Sequence, residues 1–278
     1  MSNLPAWIKV KSPIGSRYRE MKGLLEKYSV NTICQSALCP NIWRCFNNGS
    51  AAFLILGKIC TRHCLYCNVS NSEPEKVNES EAVGIAKIVE HFGMKYVCIT
   101  SVTRDDLRDG GAYFFVKTIK EIRKINPETT IEVLIPDFSG SEESLRIITD
   151  EKPEILNHNI ETVERLYPII RARADYWCSI KLIQKVKNID KNIKTKSGII
   201  VGLGETKEEV VKTMVDLRNV SCDIMTIGQY LRPSEMHYPV IRYYHPDEFI
   251  EMKEIGEKLG FSEVKASPLV RSSYQLNE

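Results

Sequence analysis

Strand-like and helix-like patterns alternate along most of this chain, and that alternation strongly constrains its fold. Runs rich in apolar and β-branched residues predict strands at residues 51–57, 95–100, 130–135, 154–157, 197–203 and 223–229. Mixed charged and apolar stretches predict helices at residues 79–92, 112–125, 141–149, 161–188 (in one or two pieces) and 206–218. Such alternation is typical of parallel βαβ units. We therefore predict an α/β fold, a partial or closed parallel (β/α) barrel of about six strands.

The length of the chain leaves room for one such barrel and two short extensions. The chain has 278 residues, and a closed α/β barrel needs about 250. We predict an N-terminal extension over residues 1–50, the barrel over residues 51–260 and a C-terminal tail over residues 261–278. Ligands of parallel barrels gather at the C-terminal ends of the strands. We expect the two extensions to cover the mouth of the barrel there.

Charge and hydropathy exclude several classes of partner. The net charge is +2, with 38 Lys and Arg against 36 Asp and Glu spread along the chain, so we expect neither a nucleic-acid nor a membrane partner. No apolar run approaches the roughly 20 residues of a membrane span. Residues 1–11 are polar and are broken by Pro5, unlike a signal sequence. We expect a cytoplasmic location.

The nine cysteines are unevenly distributed, with six of them between Cys34 and Cys67. Disulfides are disfavoured in a protein without a secretory signal, and grouped cysteines there more often bind metal. The other three, Cys98, Cys178 and Cys222, are scattered through apolar stretches, where we expect ordinary buried residues.

Two cysteine triads account for the grouping. The second triad, Cys60, Cys64 and Cys67, follows the first predicted strand with three and then two intervening residues. Thiolates are the soft ligands of iron–sulfur clusters, and three of them leave one iron without a protein ligand. A zinc site with His63 as fourth ligand is the alternative, although zinc sites usually pair two Cys-x-x-Cys groups.

The first triad lies upstream, at Cys34, Cys39 and Cys45, with four and then five intervening residues. Alone, this spacing is compatible with structural zinc or with a fortuitous group. Its position shortly before the second triad favours an auxiliary cluster. We therefore predict two iron–sulfur clusters.

The spacing of the second triad, with the aromatic Tyr66 before the last cysteine, resembles the signature of the radical S-adenosylmethionine superfamily. That resemblance implies a 4Fe–4S cluster whose open iron binds the amino and carboxylate groups of S-adenosylmethionine. An electron passed to this cofactor yields methionine and a 5′-deoxyadenosyl radical. The superfamily also shares the predicted order of strands and helices.

Within that superfamily the chain is similar to lipoyl synthases, whose auxiliary triad has the spacing of the first triad and a Cys-Pro-Asn step, matched here by residues 39–41. The similarity covers nearly the whole chain. Matching strings lie at residues 7–11, 55–62, 100–107, 109–111, 157–163, 196–206, 229–234 and 271–274.

The resemblance to lipoyl synthases implies radical insertion of two sulfur atoms, at C6 and C8 of a protein-bound octanoyl-lysine. Two S-adenosylmethionine molecules are used per lipoyl group, and the auxiliary 4Fe–4S cluster donates the sulfur. An unactivated C–H bond has no acidic proton for a base, so a radical cofactor is required. The implied partners are an octanoylated lipoyl-carrier domain (H protein or a 2-oxoacid dehydrogenase lipoyl domain), an electron donor such as ferredoxin or flavodoxin, and an iron–sulfur carrier for cluster repair.

The same resemblance assigns a role to the C-terminal Arg271-Ser272-Ser273-Tyr274 string, which alone reads as a solvated tail. In lipoyl synthases the second serine of this string ligates the auxiliary cluster, which implies Ser273. A serine oxygen is a harder and poorer ligand for cluster iron than thiolate. Ser273 is therefore suited to be the weak point of a cluster that must open.

Polar and glycine residues after the later strands are candidates for binding S-adenosylmethionine or the substrate. They are Asn159, Glu161, Arg171, Gly202 and Gly204. Gly202-Leu203-Gly204 lacks the third glycine of a dinucleotide fingerprint, but glycine at a strand end lets a flat ligand approach the backbone. For Glu161 the alternative is a solvated helix start. For the Arg104-Asp105-Asp106 run it is an internal ion pair.

Two other functions remain open on the sequence alone. A different radical sulfur-inserting enzyme, similar to biotin synthase, is disfavoured by the first triad and the terminal string. A non-enzymatic two-cluster electron carrier is disfavoured as well. It would need four cysteines per cluster, which neither group provides, and it would not explain the barrel-sized body.

Overall fold

The computed structural model describes residues 4–9 and 15–273, which form two compact units. The N-terminal unit contains described residues 15–62 and 68–156. The C-terminal unit contains described residues 4–9, 63–67 and 157–273. Tyr274 lies outside the described residues, as do the last two residues of the string at 7–11.

The N-terminal unit alternates strands with helices from Ala52 onward. Its helices are α1 (Ser16–Lys27), α2 (Ile33–Ser36), α3 (Ile42–Asn47), α4 (Glu81–Phe92), α5 (Ala112–Ile125) and α6 (Glu142–Thr149). Its strands are β1 (Asn31–Thr32), β2 (Ala52–Ile55), β3 (Ile59–Cys60), β4 (Ser70–Asn71), β5 (Tyr96–Ser101) and β6 (Thr130–Leu134). Strand β7 (Ile155–Asn157) begins in this unit.

The main sheet of this unit runs in the order β1-β2-β5-β6, with β7 beside β6. Strands β2, β5 and β6 are parallel, whereas β1 is antiparallel to β2. Side chains of β2, including Phe53 and Leu54, are fully buried. Burial of successive residues is expected of parallel strands, because crossover helices cover both faces of the sheet. Strands β3 and β4 form a separate parallel pair.

The C-terminal unit continues the alternation. Its helices are α7 (Tyr167–Ile170), α8 (Tyr176–Ile189), α9 (Lys207–Asn219) and α10 (Pro246–Lys258), and its strands are β8 (Lys194–Val201), β9 (Ile224–Gln229) and β10 (Glu263–Ala266). These strands are parallel in the order β8-β9-β10. Helix α9 begins with the capping box formed by Thr206 and Glu209.

All six predicted strands are present, so the predicted α/β class with parallel strands is confirmed. The helix predicted at 161–188 is divided into two, α7 and α8. Helix α8 begins separately because the Asp175 side chain caps its N-terminus by accepting a hydrogen bond from the Cys178 amide. Strand β10 was not predicted, although its four residues alternate charged and apolar side chains as a half-buried strand does. The division at residues 50 and 260 stays a prediction.

Burial confirms the interpretation of two of the scattered cysteines. Cys98 and Cys222 are buried, on and beside central strands. The expectation was wrong for Cys178, which is only half-buried because it lies in the first turn of α8 beside a solvent-exposed face. Within residues 4–9 and 15–273, none of the helices is long and apolar enough to cross a membrane.

Candidate active site

The first triad lies where short helices turn the chain tightly in the N-terminal unit. Cys34 is in α2, and the amide of Cys39 donates to the Cys34 carbonyl oxygen at 2.9 Å. The amide of Cys45 donates to the Asn41 carbonyl oxygen at 2.9 Å in the first turn of α3. Leu38 adopts a left-handed conformation between them, with φ 50°. The turns therefore place the three cysteines in one compact stretch of the chain.

The pKa shifts of these thiols indicate that each one affects its neighbours. Burial raises the pKa of Cys34, and the neighbouring Cys39 and Cys45 raise it further. Burial and then Cys39 raise the pKa of Cys45 to about 12. Cys34 is buried and Cys39 and Cys45 are half-buried, which disfavours free thiolates, but iron can replace the protons. The donor set thus fits an iron–sulfur cluster.

A buried glutamate sets the turn that leads to Cys60. Leu56 and Gly57 both have positive φ, 69° and 86°, directly after β2. Glu81, which is 1% exposed, accepts a hydrogen bond from the Leu56 amide at 2.9 Å. Burial raises the pKa of Glu81, whereas hydrogen bonds from the Leu56 and Gly57 amides oppose that shift. The turn delivers Cys60 to β3, where it pairs with Asn71.

The segment that carries Cys64 and Cys67 is held on both sides within the C-terminal unit. The Leu65 amide donates to the Ile170 carbonyl oxygen at 3.0 Å, and the Tyr238 amide donates to the Leu65 carbonyl oxygen at 2.9 Å. His237 Nε2 lies 3.2 Å from the Cys67 carbonyl oxygen. A carbonyl only accepts, so Nε2 carries the proton, and in the neutral ring Nδ1 accepts from Ser234 Oγ at 2.8 Å.

Tyr66, between these two cysteines, joins the segment to three predicted binding residues. Burial raises the pKa of Tyr66, and Glu161 and Cys64 raise it further. Burial also raises the pKa of Glu161, while Arg171 and hydrogen bonds from Asn159 and Tyr66 oppose the shift. Asn159, Glu161 and Arg171 therefore lie together beside the Cys64–Cys67 segment.

Backbone strain and an unpaired donor distinguish two of these residues. Glu161 has φ 64°, an uncommon conformation for a residue with a long side chain. It bridges to β8, because its amide donates to the Gly198 carbonyl oxygen at 2.9 Å. Arg171 is 8% exposed, and its Nη1 donates to the Asn159 carbonyl oxygen and to Tyr167 Oη. Its buried Nε has no hydrogen-bond partner among the described residues.

The two predicted glycines differ in their surroundings. A Cβ on Gly202 would stand 2.2 Å from Gln229 Nε2 and 2.6 Å from the Arg242 carbonyl oxygen, so packing within the chain requires this glycine. Its amide donates to Glu205 Oε1 at 2.6 Å, and the Leu203 amide donates to Oε2 at 2.9 Å. A Cβ on Gly204 would meet only Ile241, at an ordinary 3.5 Å.

The C-terminal segment is docked on β9 rather than solvated. A Cβ on Gly228 would stand 2.1 Å from the Val270 carbonyl oxygen, which crosses the strand at this point. Ser272 Oγ donates to Asn159 Oδ1 at 2.7 Å and accepts from Asn157 Nδ2 at 2.6 Å. Ser273, half-buried, is the next residue. The interpretation of the string as a solvated tail is thereby excluded for Arg271 to Ser273.

The Arg104-Asp105-Asp106 run is divided between two ion pairs. Arg104 Nε and Nη2 each donate to Asp106 at 2.8 Å, so the internal pair is confirmed for these two residues. Asp105 instead pairs with Arg62, at 2.9 Å. In the described ranges, 4–9 and 15–273, no group of three or more His, Cys, Asp and Glu side chains could hold a metal ion as placed. His63 is exposed.

Sequence reasoning missed several residues that the structure places at the cysteine segments. Asp137 contacts Arg62, and His237 contacts the Cys67 carbonyl oxygen, only through the fold. Ser234 in turn bonds to His237. Tyr66 was visible as the aromatic position of the motif, but its contact with Glu161 was not.

Comparison with known proteins identifies the family. Residues 54–217 match the family model described as the radical SAM superfamily. A lipoyl synthase of Caldicellulosiruptor saccharolyticus is 48% identical over 274 residues, covering 99% of this chain and 96% of the relative. One of Caldanaerobacter subterraneus subsp. tengcongensis is 50% identical over 270 residues, covering 97% and 94%. The chain belongs to the lipoyl synthase family.

Solved structures show the same fold at low sequence identity. A crystal structure of methylornithine synthase aligns with a TM-score of 0.57 at 12% identity, covering 88% of this chain and 81% of the other. Streptococcus suis SuiB bound to its precursor peptide aligns with a TM-score of 0.60 at 11% identity, covering 90% and 53%. These matches confirm the predicted fold class.

Membership of the lipoyl synthase family settles the reaction class. The protein is a radical S-adenosylmethionine sulfurtransferase, and its cofactors are S-adenosylmethionine and 4Fe–4S clusters. The electron-carrier and biotin-synthase-like alternatives are set aside, because the lipoyl synthases match from end to end. The ligands of each cluster and the residues that bind S-adenosylmethionine stay predictions.

Proposed function

We propose that this protein inserts sulfur at C6 and C8 of an octanoyl-lysine on a lipoyl-carrier domain, with the second triad ligating the radical cluster and the first triad plus Ser273 ligating the auxiliary cluster. The carrier is an H protein or a 2-oxoacid dehydrogenase lipoyl domain. Electrons come from a ferredoxin or flavodoxin, and an iron–sulfur carrier repairs the auxiliary cluster. The reaction takes place in the cytoplasm.

The single observation that best supports this proposal is the cluster of Asn159, Glu161 and Arg171 around Tyr66. Tyr66 lies between two cysteines of the second triad, and it donates a hydrogen bond to Glu161. Residues chosen for S-adenosylmethionine and residues chosen for the iron–sulfur cluster thus meet in one unit of the structure. A merely solvated helix start would not gather three polar side chains around a buried tyrosine.

Arg171 and Glu161 offer opposite charges to a zwitterionic ligand. The unpaired Nε of Arg171 can donate to a carboxylate, and such charge-assisted bonds are stronger than neutral ones. The Glu161 carboxylate can accept from an ammonium or hydroxyl group. S-adenosylmethionine carries all of these groups. Gly204, where an added Cβ would meet only Ile241 at an ordinary 3.5 Å, has no side chain to keep a flat part of the ligand from the backbone.

The two triads carry different tasks because their ligand sets differ. The second triad would hold a cluster that leaves one iron open to S-adenosylmethionine and would supply the electron, and the first triad with Ser273 would hold the cluster that would supply sulfur. Ser273 contributes an oxygen that holds iron less tightly than the three thiolates do. The docking of Val270 and Ser272, just before Ser273, supports this assignment.

Iron and sulfide analysis tests the assignment of two separate clusters. Anaerobically reconstituted parent protein is expected to hold about eight iron and eight sulfide ions per chain, as two four-iron clusters require. Replacing Cys34, Cys39 and Cys45 together by Ala should reduce both contents to about four. A matched variant with Cys98 and Cys222 replaced by Ala should keep the parent's contents. About four ions in the parent, unchanged in the triple variant, would contradict the proposal.

A further inference from the structure

Arg62, two residues after Cys60, is a buried cation held by two carboxylates from distant loops. It is 8% exposed. Its Nε and Nη2 form a bidentate pair with Asp105, both at 2.9 Å, and its Nη1 donates to Asp137 at 2.6 Å. Nη2 also reaches Ser139 Oγ at 3.3 Å. A planar guanidinium can satisfy such a fork geometry, and an ammonium cannot.

The neighbouring Thr61 fastens the same segment to the loop after β5. Its amide donates to the Thr103 carbonyl oxygen at 2.9 Å, and its hydroxyl lies 3.0 Å from the same oxygen. The Asp105 amide in turn donates to Thr61 Oγ1 at 3.1 Å. Residues 60–62 are therefore attached to the loop after β5 through both backbone and side chains.

The loop after β6 supplies the second carboxylate that holds Arg62, Asp137, from a strained turn. Phe138 and Ser139 both have positive φ, 47° and 50°. Asp137, 3% exposed, caps this turn by accepting from the Ser139 amide at 2.9 Å while it also binds Arg62. Strain of this kind persists only where surrounding contacts fix it, and it is concentrated at functional sites.

The ion pairs of Arg62 with Asp105 and Asp137, here called the clamp, act on Cys60 through the backbone of Arg62. The Arg62 amide donates to Cys60 Sγ at 3.4 Å. Hydrogen bonds to the ligand sulfurs are among the factors that set the reduction potential of an iron–sulfur cluster. Outer groups that orient a metal ligand also govern how firmly the metal is held.

We propose that Arg62, clamped between Asp105 and Asp137, is a positioning residue that fixes Cys60 and aims the Arg62 amide at its sulfur, and so sets the retention and the reduction potential of the radical cluster. This inference rests on the proposed assignment of Cys60 as a cluster ligand. It adds a role for three residues that belong to neither triad.

The experiment compares Arg62→Lys with Arg104→Lys in the reconstituted full-length protein. Arg104 is the control, because it is 4% exposed and forms a bidentate pair with Asp106. Its Nη1 also donates to the Leu56 carbonyl oxygen at 3.4 Å, and none of these side-chain contacts is to residues 60–62. The electron paramagnetic resonance signal that responds to added S-adenosylmethionine reports the radical cluster alone. Its decay under a chelator measures retention, and its intensity against applied potential gives the midpoint.

Arg62→Lys is expected to lose this signal about 10-fold faster than the parent or more, the usual effect of removing an outer group of a metal site. Its midpoint should become more negative, because a weakened N–H···S bond stabilises the reduced cluster less. Arg104→Lys should match the parent in both measurements. Asp137→Asn, which keeps the Arg62–Asp105 pair and the side-chain shape, should change both in the direction of Arg62→Lys and less strongly.

Equal decay rates and midpoints in Arg62→Lys and Arg104→Lys would overturn the inference, because the clamp would then be only a stabilising ion pair. Should Arg62→Lys fail to fold, Asp137→Asn decides the matter by the same two measurements. Failure of the underlying assignment gives a different result. In that case Cys60→Ala would itself retain the signal that responds to S-adenosylmethionine.

Discussion

Replacing Cys60, Cys64 and Cys67 together by Ala is expected to abolish formation of 5′-deoxyadenosine. On the proposed assignment these thiolates hold the iron that passes an electron to S-adenosylmethionine, so without them the cofactor receives none. Loss of outer groups already costs 10–100-fold in a metal site, and loss of the ligands themselves should lower the rate by more than about 100-fold. Chromatography of anaerobic reactions with excess dithionite measures the product.

The control for this result is the variant with Cys34, Cys39 and Cys45 replaced by Ala. It removes the same number of thiols, but it should continue to cleave S-adenosylmethionine while making no lipoyl product. Parent-level 5′-deoxyadenosine from the Cys60, Cys64 and Cys67 variant would show that the radical site is assigned to the wrong triad.

Changing Ser273 to Cys is expected to separate sulfur transfer from radical formation. A thiolate is a softer and tighter ligand for cluster iron than a serine oxygen, so the auxiliary cluster should persist while its release of sulfur slows. The ratio of lipoylated peptide to 5′-deoxyadenosine should fall about 10-fold or more, whereas cleavage of S-adenosylmethionine continues. Misfolding would damage both activities, and a residue outside the mechanism would affect neither.

Gly228→Ala tests the same residue by moving the segment that carries it. The added Cβ would stand 2.1 Å from the Val270 backbone oxygen, so residues 270–273 must shift. The ratio of lipoylated peptide to 5′-deoxyadenosine should fall in Gly228→Ala, and it should also fall in Ser273→Ala, which removes the oxygen itself. Gly23→Ala is the matched control, because nothing lies within 4 Å of its Cβ. Ser272 is a poor control, since it bonds to Asn157 and Asn159. Parent-like ratios in Ser273→Cys, Ser273→Ala and Gly228→Ala would remove Ser273 from the mechanism.

Local patterns were sufficient to predict much of the fold. Buried parallel strands read as continuous apolar runs, and helix starts such as Thr206 with Glu209 carry their own capping signal. The two triads were visible because cysteine is rare and its spacing is short-range. Strand β10 was missed because it gains its structure by pairing with β9, a contact that its own four residues do not encode.

The supporting residues of the site could not be predicted, because they come from distant parts of the chain. Asp137 and Arg62 are 75 residues apart in the sequence, and His237 and Cys67 are 170 residues apart. Gly202 was chosen as an approach for a ligand, whereas the structure gives it a packing role against Gln229. Each of these contacts depends on which loops follow neighbouring strands, which is decided by the order of strands in the fold.

The most direct test of the central claim is mass spectrometry of an octanoyl-lysine peptide after anaerobic turnover with S-adenosylmethionine. The account predicts a product in which two sulfur atoms replace two hydrogen atoms, with two 5′-deoxyadenosine molecules formed for each lipoyl group. The second-triad variant should give neither product, and the first-triad variant should give 5′-deoxyadenosine alone. A lipoylated product from the first-triad variant, or a parent protein that forms 5′-deoxyadenosine and never adds sulfur, would contradict it.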